Sequence, residues 1–137
     1  TLWFMFMVWG VDIGAYFVGS TLKGPKLAPK ISPNKTWSGL IGGVISSAVI
    51  SFAYMYAVKN IFDLPMSSNA QFKFAALGAA IAVVAQIGDL IESAIKRHLG
   101  VKDSSSLIPG HGGVFDRVDG LIFAAPLVYL YFMLISL

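Results

Sequence analysis

The residues able to do chemistry gather in one stretch, QIGDLIESAIKRHLGVKDSSSLIPGHGGVFDRVD, residues 86–119. On a helix, Glu92, Ser93, Lys96 and Arg97 follow Asp89 at offsets of three, four, seven and eight, so all five share one broad face. Acids come first and bases one to two turns later. Beyond them, Pro109, Gly110, Gly112 and Gly113 surround His111, a composition suited to a tight turn whose backbone N–H groups can bind an anion. The glycine spacing matches neither a Walker A loop nor a dinucleotide fingerprint. Asp116, Arg117 and Asp119 then open the last apolar run. Carboxylates from Asp89, Asp116 and Asp119, brought together from different segments, could hold Mg²⁺, and Lys96, Arg97, Lys102 and Arg117 could take the phosphates that it bridges. In outline this is phosphoryl-group chemistry.

The elements that must position these groups are apolar. Hydrophobic residues make up 56% of the 137, against roughly 45–50% in soluble domains, and charged residues only 12%, against about 25%. Mean hydropathy is +0.74. At about 20 residues per crossing, the chain has room for about four membrane helices. Thr36 to Val58 and Gly120 to Leu137 carry no charge at all. Phe74 to Gly88 and the opening run to Val11 reach crossing length only if Asp89 and Asp12 lie within or at the end of a helix. An ionisable group at such depth is costly in lipid, which makes both aspartates functional candidates. The expected fold is therefore all-α, a polytopic membrane helical bundle of about four transmembrane helices with two cytoplasmic loops forming the site. The chain begins at Thr1 inside an apolar run and is read as a single membrane domain, 1–137, cut from a longer protein.

Net charge is +3, but the charges lie where membrane orientation explains them, and no nucleic acid partner is expected. The first loop, GSTLKGPKLAPKISPNKTW, carries Lys23, Lys26, Lys30 and Lys35 and no acid. With four crossings it falls on the same side as the long loop of residues 92–119, and its lysines place that side in the cytoplasm. Pro25, Pro29 and Pro33 exclude a regular helix there and favour an irregular, partly extended path. Asn34, Thr36 or Ser38 can cap the helix that follows. Gly39, Gly42, Gly43, Ser46 and Ser47 give that helix a small face for close contact, and Ala75, Ala76, Gly78, Ala79, Ala80, Ala82 and Ala85 do so for the next. Pro126 predicts a kink in the last run. Trp3, Trp9 and Trp37 read as interface anchors. With no cysteine, disulfides and thiolate metal sites are excluded.

The arrangement Ser93-x-x-Lys96-Arg97-x4-Lys102-Asp103-x5-Pro109-Gly110-His111-Gly112-Gly113-x2-Asp116-Arg117-x-Asp119 resembles the signature of the phosphatidate cytidylyltransferases, or CDP-diacylglycerol synthases. DIGAYFVG at residues 12–19 and SPNKTWSGLIGG at 32–43 are similar to further stretches of that family, with Ser38 where members commonly have Glu. The resemblance is to the C-terminal half of the family. It implies CMP transfer from CTP to phosphatidate, giving CDP-diacylglycerol and pyrophosphate with Mg²⁺, at an integral membrane site facing the cytoplasm, in the inner membrane if the source is bacterial. It further implies that Asp89 and Asp116 hold a two-metal centre in which K⁺ can accompany Mg²⁺. Lys96, Arg97, Lys102, Asp103, Arg117 and Asp119 are then the expected catalytic group. Lys30, Lys35, Thr36, Ser93, Gly110, His111, Gly112 and Gly113 are the expected substrate contacts, and a homodimer is compatible with the pattern. Two other classes fit the same residues less fully: a CTP-dependent polyprenol or dolichol kinase, and a non-catalytic membrane interaction module.

Overall fold

The computed structural model describes residues 2–65, 67, 69–101 and 115–135, with the backbone alone described at 115–119 and 134–135. Helix α1 spans Leu2–Leu22, strands β1 and β2 span Lys26–Ala28 and Ser32–Thr36, and helices α2, α3 and α4 span Trp37–Ile61, Ala70–His98 and Phe115–Ile135. The chain divides into two compact units, residues 1–25 with 36–83 and residues 26–35 with 84–137.

The first unit is packed inside out relative to a water-soluble domain. On α2 the buried residues are Gly39, Gly42, Gly43, Ser47, Ser51 and Met55, while Trp37, Ile41, Ile45 and Val49, four apart, form an exposed ridge. Large apolar side chains gain nothing by hiding from lipid, so small residues line the contacts and let the backbones close up. The approach is tight. A Cβ at Gly14 of α1 would overlap Ser46 and stand 2.9 Å from the Gly42 carbonyl oxygen, and one at Gly42 would stand 2.8 Å from that of Gly14. Ser47 Oγ donates to the Gly78 carbonyl at 2.8 Å, joining α2 to the first half of α3, where Leu77, Ile81 and Ala82 are buried.

Trp3 departs from its expected role as an interface anchor. Its ring is buried, with Nε1 donating to Ser51 Oγ at 3.0 Å and Phe74 tilted against it at 4.9 Å, whereas Trp9 and Trp37 are exposed. An indole N–H inside an apolar bundle needs an acceptor, and Ser51 supplies one.

Of the three candidate caps for α2, the chain uses Thr36. Its backbone is extended at φ −122° and ψ 155°, and its Oγ1 accepts from Gly39 N–H at 3.1 Å. Helix α1 ends where Lys23 and Gly24 adopt positive φ, 55° and 84°, with Lys23 N–H returning to the Gly19 carbonyl at 3.1 Å. Ser38 Oγ donates to the Lys23 carbonyl at 2.5 Å. The residue standing where the resembled family commonly has Glu is thus engaged in closing the α1–α2 connection.

In the second unit the lysine-rich loop is more ordered than its prolines suggest. Strands β1 and β2 pair into a hairpin, so the fold is helical with one small two-stranded sheet. Ile31 N–H closes the turn onto the Ala28 carbonyl at 3.1 Å. Pro29 lies in the turn and Pro33 in a strand with one neighbour only, where a missing N–H can face outward at no cost in ladder bonds. Helix α4 passes α3 at Gly88, where a Cβ would stand 2.5 Å from Phe123 Cβ, and Gly120 lies within van der Waals reach of Ala85. The helix continues through Pro126.

Three helices, not four, are long and apolar enough to cross a membrane among the described residues: α1, α2 and α3. Of α4, the described apolar stretch is Gly120–Met133. Replacing Gly14 by Val should cost about 1–3 kcal/mol through overpacking against Ser46 and Gly42, while Ile13→Leu on the exposed side should be neutral. Thermal unfolding of the two variants in detergent checks this.

Candidate active site

Helix α3 rises about 43 Å over its 29 residues, more than the roughly 30 Å of a hydrocarbon layer. Its charges apart from Lys73 all lie from Asp89 onward. Over this second half, Ile87, Ile91 and Ile95 form an exposed stripe, while Gly88 and Glu92 are buried and Asp89, Ser93 and Lys96 are half-buried. From Asp89 to Lys96 the acidic and basic face expected from the spacing is therefore the inward one, while Arg97 is exposed. Polar groups turn toward the protein and isoleucines away from it, as a lipid solvent demands.

The hairpin lies along this face. Lys35 Nζ forms an ion pair with Asp89 Oδ2, and Arg97 Nε donates to the Ile31 carbonyl at 3.4 Å. The two contacts are in register. Four extended steps from Ile31, in the turn just before β2, to Lys35 advance about 13 Å, and eight helical residues from 97 back to 89 advance about 12 Å. Strand β2 can thus run antiparallel to α3 for two turns without straying from it. On the same face Glu92 Oε1 meets Lys96 Nζ at 3.0 Å, with only 4% of the Glu92 side chain exposed and 19% of that of Lys96. For the first pair the values are 17% for Lys35 and 34% for Asp89. Two carboxylates, two ammonium groups and one guanidinium are thereby brought to one short stretch of helix and hairpin.

Of the residues expected at the site, Lys35, Asp89, Ser93, Lys96 and Arg97 come together here, with Lys30 exposed in the hairpin turn beside Ile31. Thr36 is buried, and its hydroxyl is already committed to capping α2. Asp116, Arg117 and Asp119 are placed by their backbone in the first turn of α4, and their side chains lie outside the described residues. Lys102, Asp103, Gly110, His111, Gly112 and Gly113 also lie outside them. Among the described residues no three acidic, histidine or cysteine side chains form a metal-holding group. Two features go beyond the expected site. Glu92 is buried in its pair with Lys96, and Arg97 reaches a backbone carbonyl of the hairpin. The i,i+4 spacing of Glu92 and Lys96 was the available signal, but spacing alone does not say whether a pair faces in or out.

Residues 1–135 match the model of the Cytidylyltransferase family, and the chain belongs to that family. It is 48% identical over 134 residues to the phosphatidate cytidylyltransferase of Brucella suis biovar 1, covering 96% of this chain and 46% of that protein. With the phosphatidate cytidylyltransferase of Haemophilus influenzae the identity is 44% over 135 residues, covering 98% and 46%. With that of Thermotoga maritima it is 39% over 128 residues, covering 93% and 47%. The chain spans about half the length of these relatives.

Removing one member of the buried pair should be worse than removing both. Glu92→Ala is expected to destabilise by about 2–4 kcal/mol, and the double change Glu92→Leu with Lys96→Met to recover most of that loss. Denaturation of the single and double variants, taken as a double-mutant cycle, measures the difference.

Proposed function

We propose that this chain carries the catalytic face of a membrane enzyme that transfers CMP from CTP to phosphatidate, giving CDP-diacylglycerol and pyrophosphate. The carrying observation is the pairing of Asp89 with Lys35 beside Glu92 and Lys96, at the end of a membrane-length helix, in a chain of the cytidylyltransferase family. In this reading the chain is one membrane domain corresponding to the C-terminal half of the longer protein. The hairpin and the segment joining α3 to α4 face the cytoplasm, beside the inner membrane surface of a bacterial cell.

The phosphatidate phosphate oxygen attacks the α-phosphorus of CTP, the bond from that phosphorus to the bridging oxygen of the β-phosphate breaks, and pyrophosphate leaves with the electron pair. The nucleophile is already anionic. Alignment and charge neutralisation therefore supply most of the rate, and no strong protein base is required. Lys96, held by Glu92, offers a fixed ammonium to a phosphate, and Arg97 and Lys30 extend the positive surface toward the hairpin turn. Ser93, one turn along from Asp89, supplies a hydroxyl on the same face. Lys102, Asp103, Arg117 and Asp119 complete the catalytic group, and Gly110, His111, Gly112 and Gly113 position the nucleotide phosphates. Thr36 acts by setting the start of α2 directly after Lys35.

The donor chemistry suits Mg²⁺. Asp89 is a hard oxygen donor that already attracts a cation, the Lys35 ammonium, and Asp116 would be the second carboxylate holding the metal. Bound there, Mg²⁺ would neutralise charge on the triphosphate as pyrophosphate departs. A companion K⁺ remains an implication of the resemblance, to which the described residues add nothing.

Replacing Asp89 by Ala should lower Mg²⁺-dependent CDP-diacylglycerol formation by at least about 100-fold while membrane insertion is retained. Near-normal turnover would overturn the assignment. Mass analysis of the lipid product separates CMP transfer from transfer of a single phosphate, which a CTP-dependent lipid kinase would perform.

A further inference from the structure

We infer that Lys35 is a placeholder cation for Asp89, holding the carboxylate until a divalent metal takes it and then passing to an anionic phosphate of the substrate. This rests on the metal reading of Asp89 given above and adds to it an order of events and a linkage between metal and anion.

The need for a placeholder follows from the position of Asp89. It is only about one-third exposed, on the inward face of a helix whose outward face is apolar. A carboxylate in such surroundings is costly to leave unneutralised. Lys35 provides the charge from outside the helix, across a contact between hairpin and α3. Glu92 differs, because its cation comes from Lys96 on its own helix, one turn away, where no loop has to be in place.

The second requirement is that Lys35 can leave without the hairpin leaving. The backbone meets it. Strand β2 is paired with β1, and Arg97 donates to the Ile31 carbonyl in the turn just before the strand. Neither contact involves the Lys35 side chain. An ammonium on a four-carbon stem can therefore swing between acceptors several ångströms apart while its Cα stays where the hairpin holds it.

The third point is electrostatic exclusion. A divalent ion on Asp89 and an ammonium on the same carboxylate group repel each other at contact distance, so the two compete. The displaced ammonium then needs an anion within reach, and the phosphates bridged by the metal are the nearest that the chemistry offers. Metal alone should bind weakly, and metal with a phosphate-bearing ligand more than additively. By thermodynamic reciprocity, the ligand should bind better with metal by the same factor.

The test uses Mn²⁺ alone as the probe, with free Mn²⁺ read by electron paramagnetic resonance in detergent-purified protein without nucleotide or phosphatidate. Lys35→Met should tighten Mn²⁺ binding about five- to tenfold, and Lys35→Arg, which keeps a cation on Asp89, should stay within about twofold of the parent. Amide hydrogen exchange over residues 26–36 should be unchanged in Lys35→Met. Unchanged or weaker Mn²⁺ binding in Lys35→Met would overturn the inference, as would a rise in hairpin exchange, which would make Lys35 the latch of the hairpin instead. Asp89→Asn separates the two levels. If it loses Mn²⁺ while Lys35→Met changes nothing, only the placeholder role fails. If it retains Mn²⁺, the metal assignment of Asp89 itself fails.

Discussion

A carboxylate on a membrane-length helix has to be given a cation, and much of the second unit can be understood as the means of giving one to Asp89. The helix cannot turn the group outward, because that side is the isoleucine stripe of Ile87, Ile91 and Ile95. It turns the carboxylate inward, and an ammonium must be waiting. The hairpin brings Lys35 to that point, and Arg97 secures the other end of the strand. The same electrostatic demand that would destabilise an isolated helix thus docks a polar loop against it.

The first unit solves the opposite problem. Its helices carry few charges, Asp12, Lys59 and Lys73, and without water there is no hydrophobic force to press them together. Contact area and hydrogen bonds remain. Gly14, Gly42 and Gly43 allow the backbones to touch, and Ser47 and Trp3 each place a polar hydrogen on an acceptor across a helix boundary. These are modest interactions, and their strength lies in number and fit.

How far the sequence foretells this depends on whether a feature is local. The charge-free run after Thr36 announces α2, and the small residues announce which of its faces is buried, because both properties belong to one helix. The polar face from Asp89 to Arg97 is legible for the same reason. Three prolines four residues apart say only that the loop is not helical, whereas strand pairing depends on two segments meeting, so the hairpin is invisible to composition. Trp3 looks like an interfacial residue until Ser51, 48 positions away, is seen to accept its N–H. The spacing of Glu92 and Lys96 likewise permits a pair without saying that it is buried.

The match between four residues of strand and eight of helix carries a consequence for what substitutions this family member can accept. Side chains alternate sides along a strand, so deleting or inserting one residue between Ile31 and Lys35 would turn the lysine to the opposite side while leaving every residue type unchanged. Along the helix a comparable one-residue change would rotate Asp89 by about 100° away from its partner. The site is therefore encoded in counted intervals as much as in chemistry. A point change at Ser32 should be far better tolerated than any change of length, and a hairpin transplanted with its lysines but with the wrong interval would bring charge without placing it.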